Sequence, residues 1–375
     1  MADENSYPHP GPHPDPQPDP KRQILKWVLV GLAIVAGLYT GGWFFLSAQL
    51  SSGIDTWLAQ QKKAGLEVRY ASQQRSGFPF AIKITVDQPV IASDRKPISF
   101  IWQGQQAIIT VKPWNIRDGH IDLSGPQKIG IVKDKKTTTW QGHARVLSAD
   151  MNYKSTDHIQ LALNFGQIDM KAEGAKTGTE SQRVQLNRGR VVVIQQHHVK
   201  TTEKTPSLIF AGDVTGLHVP KSLPMILGYQ FVKIAVKASV FGPLPRKIQS
   251  LPLTAWRDAG GTVEVDHFEV DHGPLNLKTK GTVALDENLQ PVGAFSSQIY
   301  GFSEVISILQ KRNFIKSNVA LTARLVLGII AKRQGTDKRP RLDVALSAQN
   351  QKLFIGPLAI AKLPPINWDR YHSVP

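Results

Sequence analysis

Phe80-Ala81-Ile82-Lys83-Ile84-Thr85-Val86-Asp87 places Phe80, Ile82, Ile84 and Val86 on one face and lysine, threonine and aspartate on the other. Successive strand side chains point to opposite sides, so this run reads as a half-buried β-strand. The rhythm returns at Ile159-Leu161-Leu163-Phe165, Ile234-Val236-Ala238-Val240, Val263-Val265, Val283-Leu285 and Leu342-Val344-Leu346. Turn signals stand between these runs at Asp87-Gln88-Pro89, Arg117-Asp118-Gly119, Ser124-Gly125-Pro126, Asp258-Ala259-Gly260-Gly261 and Asp286-Glu287-Asn288. Many alternating strands with short turns predict a mainly β (α+β) fold built on a large antiparallel, hairpin-rich sheet, and argue against a parallel α/β fold.

Two helices are expected to interrupt the sheet, at about 303–312 and 317–332, with Ser303 and Ser317-Asn318 as their caps. In the second, Val319, Leu321, Leu325, Val326, Ile329 and Ile330 exceed one narrow stripe, so it is read as buried or as covering a groove. The polar segment 173–182, EGAKTGTESQ, is read as a loop. A break at 243–252 suggests a sub-boundary. No close internal repeat is evident.

Upstream, Trp27 to Leu46, WVLVGLAIVAGLYTGGWFFL, contains no charged residue. About 20 residues suffice to cross a bilayer core of about 30 Å as a helix. Trp27 opens the run and Trp43, Phe44 and Phe45 close it, as interfacial anchors do. A soluble core helix rarely stays apolar for so long. A cleaved signal would have a shorter apolar region ending in a small-x-small site, for which Ala48 leaves some room. The reading is therefore an uncleaved transmembrane helix over 24–46. A juxtamembrane helix over 47–65 follows, with Leu50, Ile54, Trp57 and Leu58 on one face and Gly65 as its C-terminal cap. Residues 1–23 begin with alternating prolines that forbid helix and sheet, which predicts a disordered tail. Lys21, Arg22 and Lys26 precede the span, whereas 47–61 holds only Asp55, so the N-terminus is expected in the cytoplasm and residues 66–375 outside.

Composition bounds the chemistry. The chain of 375 residues carries 45 lysines and arginines against 29 acids, a net charge of +16, and no cysteine. Disulfides, thiolate metal sites and cysteine nucleophiles are excluded. The cations are scattered and no nucleic-acid motif accompanies them, so lipid or an anionic membrane surface is the expected partner and nucleic acid is not. A merely solvated basic surface explains the charge equally well.

Three stretches carry a family resemblance. They are Gly77-Phe78-Pro79-Phe80; Ala255-Trp256 through Gly260-Gly261, Gly273-Pro274-Leu275, Gly281-Thr282, Leu285-Asp286 and Leu289-Gln290-Pro291 to Gly293; and Leu353-Phe354-Ile355-Gly356-Pro357-Leu358 with Leu363-Pro364-Pro365. With the single span, the set resembles the DUF2125 family, uncharacterised membrane-anchored proteins of alphaproteobacteria. His272 stands where that family tends to carry an aromatic before Gly-Pro-Leu. The resemblance implies a periplasmic domain hung from the inner membrane of a bacterium. In outline it is also similar to AsmA-like envelope proteins, which implies a lipid-related role. The motif residues Gly77, Phe78, Pro79, Phe80, Gly273, Pro274, Gly356 and Pro357 read as structural, marking strand starts or edge breaks with phenylalanines packing the sheet.

No GxSxG, GxxxxGK[ST], HExxH or GxGxxG motif is present, so no catalytic, cofactor-binding or metal site is expected and the protein is read as not an enzyme. The best alternative is Asp266-His267-Phe268-Glu269-Val270-Asp271-His272. On a strand His267, Glu269 and Asp271 share one side and Asp266, Phe268, Val270 and His272 the other, though a solvated face gives the same spacing. His197-His198 is a poor chelate because adjacent strand side chains diverge. Two functions remain: a domain that binds or shields lipid or another apolar envelope molecule, and a structural or assembly factor acting through protein contacts.

Overall fold

The computed structural model describes residues 11, 20–63, 65–94, 99–133, 136–155, 158–174, 182–196, 205–244, 253–332, 339–355 and 358–368. The chain divides into two compact units, Met1–Leu50 and Ser51–Pro375. The expectations for the proline-rich tail and for His197-His198 lie outside the described residues, as does most of the 243–252 break.

Helix α1 runs unbroken over Pro20–Lys63. The expected helix at 47–65 is therefore a continuation of the first, because Ser47-Ala48-Gln49 contains neither a proline nor a left-handed glycine to stop it. The stop comes at Gly65, which has φ 77° and donates its N–H to the Lys62 carbonyl at 3.0 Å. Within α1, Ile24–Lys62 is long and apolar enough to cross a membrane. The helix spans ~66 Å at 1.5 Å per residue, about twice the thickness of a bilayer core.

The second unit is a single antiparallel sheet, nineteen strands among the described residues. They are β1 Leu66–Arg69, β2 Ser72–Ser76, β3 Ile82–Asp87, β4 Val90–Ser93, β5 Ser99–Gly104, β6 Gln106–Lys112, β7 Asn115–Asp122, β8 Gly125–Lys133 and β9 Lys136–Ser155. Then come β10 His158–Ala172, β11 Arg183–Gln196, β12 Leu208–His218, β13 Gln230–Phe241, β14 Thr262–His272, β15 Leu275–Leu285, β16 Pro291–Tyr300, β17 Arg341–Gln349, β18 Lys352–Ile355 and β19 Leu358–Lys362. From β10 to β19 each strand pairs with the next, a meander. Strand β9 joins it to the rest: one edge pairs β10, and the other is shared between β8 and β7. From there the sheet forks, through β5, β4 and β1 on one arm and through β6, β3 and β2 on the other.

Several local expectations are corrected. Arg117-Asp118-Gly119 is strand, not turn. The chain reverses earlier, at Pro113-Trp114, and Asp118 accepts from Asn115 (2.6 Å) and from Asn152 across the sheet. Phe80 precedes β3 and is 75% exposed, so it does not share the buried side of Ile82, Ile84 and Val86. A helix not foreseen, α2, covers Leu253–Asp258. Helix α3 occupies Phe302–Lys311 with Gly301 rather than Ser303 at its N-cap. Helix α4 occupies Ser317–Ile330 behind Lys316, while the Ser317 hydroxyl accepts from Gln310 instead of capping. It stops short of Lys332 because the Lys332 backbone pairs with Arg341 in both directions at 2.8 Å.

Candidate functional site

Register brings apolar side chains into line across the meander. One row runs Leu161, Val193, Phe210, Ala238 and Val265, passes Gly281, and continues to Phe295 and Leu346. A second runs Phe165, Gly189, Val214, Ile234, Val270, Leu277, Ile299 and Leu342. Directly opposed residues share a face, so these rows make one apolar surface. From β10 to β16 its apolar side chains are all half-buried and none is fully buried. Seven strands at about 4.8 Å spacing make it roughly 30 Å wide.

Beyond β10–β16 the same face reaches full burial at Ile82, Ile84 and Val111, to which the ladders carry it through β9, β7 and β6, and at its other end under α3 and α4. Phe302 and Ile306 of α3, Ala320 of α4 and Leu342 of β17 form a buried cluster, with Ile299 and Val344 against it. Beside that cover, Val319, Ala323, Val326 and Leu327 of α4 face Ile355 of β18 across an apolar cleft of about 430 Å³. The six apolar residues from which this helix was read as buried or as covering a groove are all about half exposed or more; Ala320, Ala323 and Leu327 make the packing instead.

On β13 to β17 the opposite face is mostly polar, whereas on β10 to β12 it is mixed and includes the buried Ala162 and Met170. Glu269 is only 7% exposed and meets Lys233 at 2.5 Å, His267 at 3.4 Å and Lys278 at 3.5 Å. Burial alone would raise its carboxyl, but the Lys233 hydrogen bond and the Lys278 and Lys233 charges outweigh that and hold it below the ordinary carboxylate range. A carboxylate so engaged is poorly placed to accept a proton or hold a metal. Asp266 does not take the side expected for it. The ladder slips between Val265 and Phe268, and that bulge sets Asp266 near Ser239 (3.4 Å) and Lys237 (3.7 Å) on the same polar side as His267. A shallow cleft of about 520 Å³, lined in part by Asp266, His267, Lys278 and Lys280, opens there. His272 points away, stacked on Phe231 at 3.9 Å with Nε2 2.8 Å from the Gly228 carbonyl. Its ring is thus used in packing. Among the described residues no group of three histidines and acids converges on a metal position.

The model of a family described as uncharacterised proteins conserved in bacteria, DUF2125, matches residues 43–364. The chain belongs to the DUF2125 family. No curated protein and no solved structure matches it. The DUF2125 region takes in the whole sheet and the second half of α1, from Trp43 onward. Several of the motif residues quoted above meet packing demands within it. Trp256 of α2 is buried, donates to the Phe241 carbonyl at 2.9 Å, and fills the space a side chain at Gly261 would need. Gln290 exchanges hydrogen bonds with the Ile366 backbone at 2.8 and 3.1 Å, fastening the C-terminal segment to the β15–β16 turn.

Gly273-Pro274 forms the tight turn between β14 and β15. A Cβ on Gly273 would stand 2.5 Å from the Leu227 carbonyl oxygen. Gly77-Phe78-Pro79-Phe80 forms the turn before β3, with Ala81 N–H bonded to Gly77 O at 2.9 Å and a cis Phe78-Pro79 bond. Phe78 is 49% exposed and Phe80 75%, both in the turn rather than in β3. Gly356 and Pro357 lie outside the described residues. On α1, Trp27, Phe44 and Phe45 are 75, 60 and 66% exposed, whereas Trp43 is buried. Lys233 and Lys278, the partners of Glu269, were not singled out from the sequence. Only strand register reveals them.

Proposed function

We propose that this protein is a single-pass protein of a bacterial inner membrane, with its N-terminus in the cytoplasm and its sheet in the periplasm. The apolar face from β10 to β16 receives an acyl chain or another apolar envelope molecule, by binding rather than catalysis. One observation carries this reading: a continuous face of aligned apolar side chains that stay half-buried. A broad apolar surface left only half-buried suits a ligand or partner that completes its cover. The test is uptake of a fluorescent fatty acid by full-length protein in nanodiscs, with extraction of co-purifying lipid. Binding several-fold weaker in Phe210→Asp supports the reading; no uptake and no extracted lipid overturns it.

The second reading, a structural or assembly factor, draws on β1, β2 and β19, each with one paired edge among the described strands. A free edge accepts a strand from another chain. Crosslinking in cells should then trap one defined protein at these edges.

A further inference from the structure

We infer that the outer side of α4 docks on the anionic bilayer that α1 enters, an inference that rests on the membrane-anchored reading above. Leu321, Leu325 and Ile329 recur every four residues and so form one stripe, 57, 60 and 85% exposed. The other side of the helix is already packed: Ala320 is fully buried, with Ala323 and Leu327 against the same cluster. The exposed stripe is thus surplus to the fold. Phe314, in the turn before the helix, is 60% exposed as well.

Charge selects the occupant. Between Phe302 and Lys332 the chain carries Lys311, Arg312, Lys316, Arg324 and Lys332 against Glu304 alone. All of those cations but Arg324 are exposed. An apolar stripe on a segment this rich in exposed cations, of which Lys332 also meets Asp343 at 3.9 Å, suits the boundary between headgroups and acyl chains of an anionic leaflet. A second copy seated there would oppose like charges, which disfavours self-association.

The absence of cysteine makes the test direct. Leu325→Cys and Ile329→Cys, with Thr282→Cys on the polar sheet face as reference, are labelled with bimane in full-length protein. The labelled proteins are placed in nanodiscs containing doxyl-phosphatidylcholine, with and without phosphatidylglycerol. The expected result is quenching at 325 and 329 at least threefold above that at 282, rising with phosphatidylglycerol. Equal quenching at all three positions overturns the inference. So does a shielded but lipid-insensitive label that crosslinks to a second copy or another protein. Leu325→Glu/Ile329→Glu, read through a label at Leu321→Cys, should lose the quenching while fatty-acid uptake persists. Loss of uptake with quenching intact would instead remove only the sheet-face reading.

Discussion

Glu269 shows how single residues fit the polar face without chemistry. Its carboxyl is held below the ordinary range, so the stabilisation it supplies is complete above the unfolded-state pKa of about 4.3 and is lost as pH falls through the lower folded value. Glu269→Gln should therefore cost roughly 1–3 kcal/mol at pH 7, toward the low end because Lys233 and Lys278 are partly exposed. Urea midpoints between pH 5 and 3 should fall less steeply in the variant than in the parent. An identical slope would show that the ion pairs are inert. Gly301 makes a steric case. With φ 73° and Pro274 O 1.8 Å from where a Cβ would stand, Gly301→Ala should destabilise by more than the ~1–2 kcal/mol that a left-handed conformation alone costs. A variant within error of the parent in urea unfolding would mean that the β14–β15 turn moves aside freely.

At the scale of elements, alternation exposed β3, β10, β13, β14, β15 and β17, because each keeps apolar residues on one side. It missed the other thirteen described strands, among them β2, whose SQQRS sequence suits a half-paired edge, and β9, whose long polar-rich run has partners on both edges. Helix α2 escaped because six residues make too short a period and only Trp256 is buried. The α3–α4 pair was legible as helices but not as a cover, since their contact with Leu342 depends on where β17 falls in the sheet. Leu342→Ala, at 1% exposure, should cost about 2–5 kcal/mol. Hydrogen exchange should then show Phe302–Ile330 losing protection ahead of β10–β14. Uniform loss across the sheet would mean that the helices and strands unfold as one unit.

At the scale of the whole molecule, the apolar face is a product of register. No single strand displays it, and the rows survive the slip between Val265 and Phe268 because that bulge restores the parity of β14. Sequence could therefore supply the strands but not the surface. On the membrane-anchored reading proposed above, the side that surface faces depends on Lys21, Arg22 and Lys26 before the span against Asp55 alone in 47–61. Flanking lysines and arginines stay in the cytoplasm, so an alkaline phosphatase fused after Pro375 should be active and a fluorescent protein fused there by the same route dark. The decisive variant replaces Lys21, Arg22 and Lys26 with glutamine and adds lysines at Ser51 and Ser52. Reversing the bias should cut phosphatase activity several-fold while the amount of protein in the membrane holds steady. If the parent fusion is inactive and its fluorescent counterpart bright, the sheet lies in the cytoplasm, and its apolar face must serve molecules found there.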